Sequence, residues 1–420
     1  MTDRFTRRSF LNAGALGAAL AAFGGSLPRA FADDDKPKIQ GFDDTETNID
    51  PNAEWKPFSD KKLRVGIAGF GVCHFGAQFG FQDHPNVEVV AVSDLFPDRC
   101  AALAKACRCE KTYPSLEEMI KDDSIEAVFI ATDAPSHCDH ACKVLKSGKH
   151  VASAVPAIYG SLEQADKLFE TVKETGLQYG MFETSCFHDD VYAARKIYKA
   201  GGFGKMAYTE GEYYHYSSGT IDSYKGWRIG IPPQWYPTHS NAYYTCVTGG
   251  SFTRVSCVGR VSKLDVYQKG ANPYDNPFGT EIALFTTSEG GAARMAVSWD
   301  TAGWSGETGR MRGEIGAYND VYQPLDDEAA KLVAALGDLR KPALPPGVDA
   351  GGHGGSHGYL GANFVEAILT GKTPIVNVAV ALNTTVSGVV AHQSALKDGE
   401  SLPIPQYETL TLLNRERSIE

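Results

Sequence analysis

The stretch Leu63-Arg64-Val65-Gly66-Ile67-Ala68-Gly69-Phe70-Gly71-Val72-Cys73-His74 constrains this chain more than any other. Val65, Ile67 and Ala68 read as a buried parallel strand, and Gly69 and Gly71 turn the chain into an apolar segment. Strand, Gly-x-Gly turn and helix is how a dinucleotide-binding unit begins. Gly69 permits the tight turn, and Gly71 lets backbone approach a pyrophosphate. The next helix is expected to offer its N-terminal N–H groups to the phosphate charge. The third fingerprint position is His74 rather than glycine, so that helix should pack less closely on the strand. Val72, Cys73 and His74, on the turn itself, join the candidate cofactor contacts.

A bare Gly-x-Gly is a weak signal, and the downstream chain must support it. Val87 to Val92 is a second strand ending at Ser93-Asp94, and Pro97 to Cys107 looks helical. Ser115-Leu116-Glu117-Glu118 is a capping box. Ala127 to Ala131 is another buried strand, and His137 to Ser147 a helix stopped by Gly148. His150 to Ala152, Ser161 to Thr175 and Leu177 to Phe182 continue as strand, helix, strand. Such alternation predicts an α/β fold, with a doubly wound parallel sheet forming a Rossmann domain over residues 61–182. Asp94 ends the second strand, where a carboxylate accepts the ribose hydroxyls of NAD and repels the 2′-phosphate of NADP. Arg99, one turn into the next helix, keeps NADP open. Thr132 and His137 fall at the C-terminal edge of the sheet, where ligands of such folds gather.

Beyond Phe182 the character changes. Asp189 and Asp190 open a helix ending near Gly201-Gly202. Strands are expected at Tyr208 to Tyr216, Val261 to Tyr267, Glu281 to Thr287, Ala292 to Trp299 and Met311 to Ala317. Several alternate apolar and polar residues, as a sheet with one exposed face does. Glu328 to Leu339, Tyr359 to Leu369 and the apolar run Val378 to Leu396 read as helices. Residues 183–400 thus form a C-terminal α+β domain with an open-faced, mostly antiparallel sheet, trailed by a tail over 401–420. An open face of this kind is commonly closed by a second subunit, so a homo-oligomer is expected.

The N-terminus carries an address. Thr6-Arg7-Arg8-Ser9-Phe10-Leu11 has the twin-arginine pattern, an uncharged Ala/Gly/Leu stretch comes next, and Ala30-Phe31-Ala32 has the form of a cleavage site. Residues 1–32 therefore read as an export signal to the periplasm or another extracytoplasmic compartment, and 33–60 as an arm. No later run is long enough to span a bilayer. With a formal charge of −11 and no basic tract beyond the signal, nucleic acid is a poor partner. The nine cysteines are odd in number and irregular in spacing, which favours ordinary buried thiols over a disulfide framework or a metal site and leaves room for one or two bridges in an oxidising compartment.

The segments Val65 to Gly71, Ala91-Val92-Ser93-Asp94, Thr132 with His137, Gly148-Lys149-His150-Val151 and Gly201 to Lys205 resemble the Gfo/Idh/MocA family of NAD(P)-dependent oxidoreductases. The resemblance runs from about residue 61 to 400. It implies a Rossmann domain, an open-sheet domain and action on sugars or polyols. After Gly-Lys-His-Val the family usually has Glu-Lys-Pro, whose lysine helps hold substrate and cofactor. Here Ser153-Ala154-Val155-Pro156-Ala157 stands instead, leaving Val155 and Pro156 beside the cofactor. Val155-Pro156-Ala157, Trp235-Tyr236-Pro237-Thr238-His239 and Gly352-His353-Gly354-Gly355 are similar to the NAD-dependent glycoside hydrolases of that superfamily, the α-N-acetylgalactosaminidase group. That implies transient oxidation of a sugar carbon, elimination of the aglycone, addition of water and return of the hydride. It places Tyr236 and His239 on the reacting sugar. A further tyrosine of the group falls on Phe187.

Hydride removal from a carbinol requires a base with a pKa near the working pH, which histidine supplies unperturbed. His239, read as lying in a Pro-containing loop beside Tyr236, is the first candidate. His353, among glycines that allow close backbone approach, is a candidate substrate contact. Trp227, Arg228, Tyr214 and their aromatic neighbours Tyr213 and His215 form a candidate sugar platform, or equally the core and rim of the open sheet. An exported enzyme meets no exchanging NAD pool, so its NAD must be tightly held and restored within each turnover. Three readings are compatible with these residues: glycosidase-like chemistry on a sugar or glycoside, a sugar oxidoreductase using two substrates in turn, or a non-catalytic sugar-binding protein on a degenerate fold.

Overall fold

The computed structural model describes residues 41–43, 49–57, 59–71, 73–217, 221–303 and 306–410. The export segment, half of the arm and Val72 therefore lie outside the described residues. Two sheets organise the rest.

The first sheet is wholly parallel, with strands β1 (Leu63–Ala68), β2 (Val87–Ser93), β3 (Thr112–Tyr113), β4 (Ala127–Ile130), β5 (His150–Ser153) and β6 (Tyr179–Met181) in the order β3-β2-β1-β4-β5-β6. Val65, Ile67 and all four residues of β4 are fully buried, as strands covered on both faces must be. Helices α1 (Pro97–Cys107), α2 (Leu116–Met119), α3 (His137–Lys146) and α4 (Leu162–Thr175) supply the cover. Ser115 and Ser161 cap α2 and α4 by accepting from Glu118 N and Gln164 N.

No α-helix comes directly after β1, contrary to the fingerprint expectation. The chain makes two short 3-10 turns, Phe75–Ala77 and Phe81–Asp83. Gly69, Gly71, His74 and Gly80 all adopt positive φ there, which a right-handed helix cannot accommodate. The close-packing role assigned to the third glycine is filled two residues later. A Cβ on Gly76 would lie 2.3 Å from Gly69 O and 3.0 Å from Leu103 Cδ1.

The second sheet has eight strands. They are β7 (Met206–Tyr214), β8 (Phe252–Val261), β9 (Phe278–Thr287), β10 (Ala292–Ser298), β11 (Gly306–Gly313), β12 (Gly316–Asn319), β13 (Val321–Pro324) and β14 (Leu402–Pro403). Their order is β13-β12-β11-β7-β10-β9-β8-β14, antiparallel except for the β7–β10 pair. Along β9 burial alternates strictly from Glu281 to Thr287, with Ile282, Leu284 and Thr286 facing out. Helices α5 (Asp189–Lys199), α6 (Thr238–Thr248), α7 (Asp327–Ala334), α8 (His357–Thr370) and α9 (Val378–Ala395) complete the chain.

Several expected elements move. Val261 to Tyr267 is not a strand: β8 ends at Val261, and Asp265–Tyr267 is a 3-10 turn. Met311 to Ala317 is the hairpin between β11 and β12. Leu402 and Pro403, placed in the tail, pair with Val255 and Arg254 of β8. His239 is on a helix, not in a loop, being the second residue of α6.

Two packing features hold the sheets together. Helix α9 touches α4 and β6 on one side and β8 on the other, and its N-terminus is capped by Asn377. Its His392 pairs through Nδ1 with Glu281 Oε1 at 2.6 Å, a buried pair that ties it to β9. Helix α6 lies directly on β7 because Gly211 has no side chain: a Cβ there would sit 2.0 Å from Ser240 O. That close approach brings His239 to the sheet.

Candidate active site

A cleft of about 360 Å³ opens where the strand order reverses, between the C-terminal ends of β1 and β4. Gly69, at φ +94°, forms its floor, and a Cβ there would collide with Ala131 O at 2.5 Å. Asp94 joins the loops that rim it, with Oδ2 accepting from Phe70 N and Oδ1 from Phe96 N, both at 2.9 Å. Gly71, Cys73, Arg99, Thr132 and His140 line the same space, as do Ser223, Tyr224, Lys225, Trp227 and Arg228 from the second half of the chain. Thr132 Oγ1 and His140 Nδ1 are 3.0 Å apart. Arg99, Lys225 and Arg228 have no carboxylate partner among the described residues. A carboxylate that orders the rim, backbone free to approach, and three cations without an ion-pair partner among the described residues fit a dinucleotide diphosphate.

Beside the cleft lies a buried cluster of acids and histidines. His239 Nδ1 is 2.9 Å from Glu183 Oε1 and 3.7 Å from Glu307 Oε1. Glu183 Oε1 also accepts from Ser185 N at 2.8 Å, while Glu307 Oε2 accepts from Ser185 Oγ at 2.5 Å and stands 3.1 Å from His188 Nε2. Burial alone would lower the pKa of His239, but the two carboxylates outweigh it and raise it to about 9. Against the effect of burial, His239 and His188 hold Glu307 well below the usual carboxylate range. His188 is raised by Glu307 despite its own burial. Glu183, His239 and Glu307 each offer a donor atom within 4.8 Å of the others, a spacing that also suits a metal ion. Each carboxylate also has a histidine beside it, His239 at Glu183 and His188 at Glu307.

Tyr213 packs its ring edge-on against His239 with centroids 4.6 Å apart, and Tyr236 and Trp299 complete an aromatic wall. Arg228 links this wall to the cleft: its guanidinium lies 4.2 Å from the Trp227 ring centroid and 5.7 Å from that of Tyr236. Phe75, which lines the cleft, meets the ring of His353 at 5.6 Å. His353, at φ +47°, places Nδ1 3.0 Å from His357 Nε2 and its ring 6.4 Å from that of His239. Burial, and then the charge of His239, lower the pKa of His353; burial and then His353 lower that of His357, to about 4.

Comparison with known proteins places this geometry. A model of the Gfo/Idh/MocA oxidoreductase family, NAD-binding Rossmann fold, matches residues 63–183. Glycosyl hydrolase family 109 protein 3 of Phocaeicola vulgatus is 33% identical over 170 residues, 39% of this chain and 31% of that protein. The match thus spans about a third of that relative's length. The glycosyl hydrolase family 109 protein of Streptomyces filamentosus is 25% identical over 94% of this chain and 87% of its own. Residues 63–183 are thus similar to the NAD-binding Rossmann unit of the Gfo/Idh/MocA family. Among solved structures, levoglucosan dehydrogenase in complex with NADH and levoglucosan superposes with a TM-score of 0.68 at 19% identity, covering 83% of this chain and all of the other. Apo scyllo-inositol dehydrogenase from Lactobacillus casei gives 0.61 at 15% identity, covering 82% of this chain and 99% of the other. These two share the two-sheet fold.

Within this fold, the residues picked out by sequence divide. Gly69, Gly71, Cys73, Asp94, Arg99, Thr132, Trp227 and Arg228 line the cleft. His74 does not: it is exposed and stacks on Phe70 at 4.3 Å. His137 is also out of reach, buried with Nδ1 2.9 Å from Pro156 O and Nε2 3.1 Å from Thr132 O. It braces the two segments that form the rim, and His140, one turn on, faces the cleft instead. Val155 and Pro156 are joined by a cis peptide. Val155 is buried and places no polar group there. Tyr214 is on the wrong face of β7: it lies by Glu212 and Arg294 on the open side, and Tyr213 is the tyrosine that reaches His239. Phe187 stacks on Tyr359 at 5.8 Å.

Sequence reasoning missed Glu183, His188 and Glu307. Glu183 comes two residues after β6, and a carboxylate at the C-terminal end of a parallel strand is a signal that could have found it. Glu307 opens an antiparallel strand far along the chain, and nothing in Gly306-Glu307-Thr308 announces it.

Proposed function

We propose that this chain is an NAD-dependent enzyme that retains its cofactor and acts on a carbohydrate by transient oxidation, elimination and hydration. The observation that carries the reading is the opposed environment of two neighbouring histidines. His239 is held as a cation by Glu183 and Glu307, while burial and that cation keep His353 neutral. Two titratable groups with pKa values pushed apart are an acid and a base in waiting.

NAD held in the cleft lined by Gly69, Gly71 and Asp94 would supply a reversible hydride acceptor. The chain's residues manage protons. His353, neutral near pH 7 and backed by His357, takes the hydroxyl proton of the sugar on oxidation and loses it to water. It then takes the acidified C–H proton that elimination releases, and both protons are restored when hydration and hydride return run the steps in reverse. His239 has Nδ1 committed to Glu183, so Nε2 is the atom that hands a proton to the departing oxygen and regains one from water. Tyr213, Tyr236 and Trp299 present ring faces suited to sugar C–H surfaces, and exclude water from the transfer. His239 thus serves as acid rather than as the unperturbed base that the sequence suggested.

Three further features belong to this reading. The twin-arginine pattern supports export, and export favours a cofactor that never leaves. The exposed apolar residues on β8 and β9 support closure of the open face by a second copy. The similarity to glycosyl hydrolase family 109 proteins supports a glycoside over a free sugar.

Incubating purified protein with aryl glycosides tests the mechanism. Aglycone should appear with no net NADH. NADH accumulating on addition of free sugar, with no aglycone from any glycoside, would replace this reading with a two-substrate sugar oxidoreductase.

A further inference from the structure

The loop Ser223–Arg228 belongs to the second half of the chain, between β7 and α6, yet five of its six residues line the dinucleotide cleft of the first. Its tip crosses to the far rim. The rings of Tyr224 and Phe96 meet edge-on, with centroids 6.0 Å apart and planes at 77°. Phe96 lies two residues beyond Asp94 and is 42% exposed, with Tyr224 at its edge and the Arg99 guanidinium 4.7 Å from its ring centroid.

The loop is braced at its base. Trp227 O accepts from Tyr159 Oη at 2.9 Å and Tyr274 Oη at 2.5 Å. Arg228 N donates to Ser223 Oγ, and Gly226 N to Ser223 O. Between these ties Lys225 sits at φ +53°, a left-handed conformation that a residue with a side chain adopts only when its surroundings demand it. The chemistry on the loop matches a phosphorylated ligand. Lys225 and Arg228 face the cleft from this side and Arg99 from the other, and none of the three has a carboxylate partner among the described residues.

We infer that Ser223–Arg228 is a clasp that keeps the dinucleotide in place, closed by Tyr224 on Phe96 over the ribose held at Asp94 and charged by Lys225 and Arg228 against its phosphates. The inference rests on the cofactor-retaining reading above and gives that retention its residues. A dinucleotide beneath the loop leaves only when Tyr224 parts from Phe96. In a cycle that returns its hydride, release is not a step, so a slow exit does not limit turnover.

The test tracks the cofactor itself. Wild type, Tyr224→Ala, Tyr224→Phe and Phe96→Ala are loaded with NAD and desalted, and its release is timed with an enzyme that consumes free NAD. Tyr224→Ala and Phe96→Ala should each release NAD at least ~10-fold faster than wild type, at an unchanged melting temperature, while Tyr224→Phe keeps the wild-type rate. Lys225→Ala should hasten release and make it less sensitive to salt. Release from both Tyr224→Ala and Phe96→Ala at the wild-type rate overturns the clasp and leaves retention standing. Wild type that neither carries nor binds NAD overturns retention and the clasp together. If Tyr224→Ala fails to fold, Phe96→Ala decides from the opposite rim.

Discussion

Glu183 Oε1 stands 2.9 Å from His239 Nδ1 with both side chains buried, so one carboxylate fixes which face of the imidazole is free. Glu183 comes from the end of the parallel sheet and His239 from the first turn of α6, which Gly211 admits against β7. The two sheets therefore meet in a hydrogen bond at the reaction centre. A change that shifts one sheet against the other by an ångström would be felt there first.

Replacing Glu183 with glutamine keeps the shape and removes the charge. The first consequence is on protonation: with one carboxylate gone, burial pulls His239 back from about 9 toward neutrality. In the pH profile of kcat/KM the alkaline limb should move down by about one unit or more, and kcat at pH 8 should fall ~10- to 100-fold. The acid limb, assigned to His353, should stay below 6.5. An alkaline limb that remains near 9 in Glu183→Gln would remove the pair from the mechanism.

Stability should depend on the same groups. His239 holds its proton more tightly when folded, its pKa rising from 6.5 to about 9, so its contribution is complete below about 6.5 and is lost as pH climbs through 9. Glu307 is shifted the other way. Its contribution is present above the usual carboxylate range and is lost on acidification. The melting temperature should be flat from above the carboxylate range to about 6.5, decline from there through about 9, and decline again on acidification. Glu307→Gln should lower the neutral plateau and soften both declines, which differential scanning calorimetry across about pH 4 to 10 would read.

Gly76 carries the packing that the fingerprint assigns two residues earlier. A methyl group there would lie 2.3 Å from Gly69 O, the backbone of the cleft floor itself. Gly76→Ala should cost about 1–3 kcal/mol of stability. It should also weaken NAD binding, measured by calorimetric titration, because relief of the clash displaces Gly69. Gly148→Ala is the control: at φ +84° it carries backbone strain but its Cβ meets nothing within 4 Å, so it should cost stability and leave NAD binding unchanged.

The parallel sheet was legible because its signals are local. Val65, Ile67 and Asp94 announce strand and rim within a short stretch of chain, and period and turn chemistry suffice. The second domain was harder. Tyr213 and Tyr214 are adjacent in sequence and opposite in space, and only the register of β7 against β10 and β11 decides which one meets His239. The helix through His239 carries Pro237 just before it and polar residues all round. A buried helix shows no amphipathic period, so it read as loop. Glu307 reaches His239 from a different strand, far beyond the span of any spacing rule.

The open face of the second sheet leads to the last expectation. Val258 and Ile282 stand opposite each other on β8 and β9, 70% and 38% exposed, and Leu284 beside them is 58% exposed. Apolar side chains in register on a sheet face gain about 25 cal/mol per Å² when covered, so a second copy laid on this face is favoured. Leu284→Arg puts a charge in the middle of such a contact without touching the inner face, where Ala283 and Phe285 hold the core. Light scattering should find wild type as an oligomer and the variant shifted to monomer at micromolar concentration, with NAD content and near-ultraviolet dichroism retained. An oligomer that survives both Leu284→Arg and Val258→Arg would have to form through another surface.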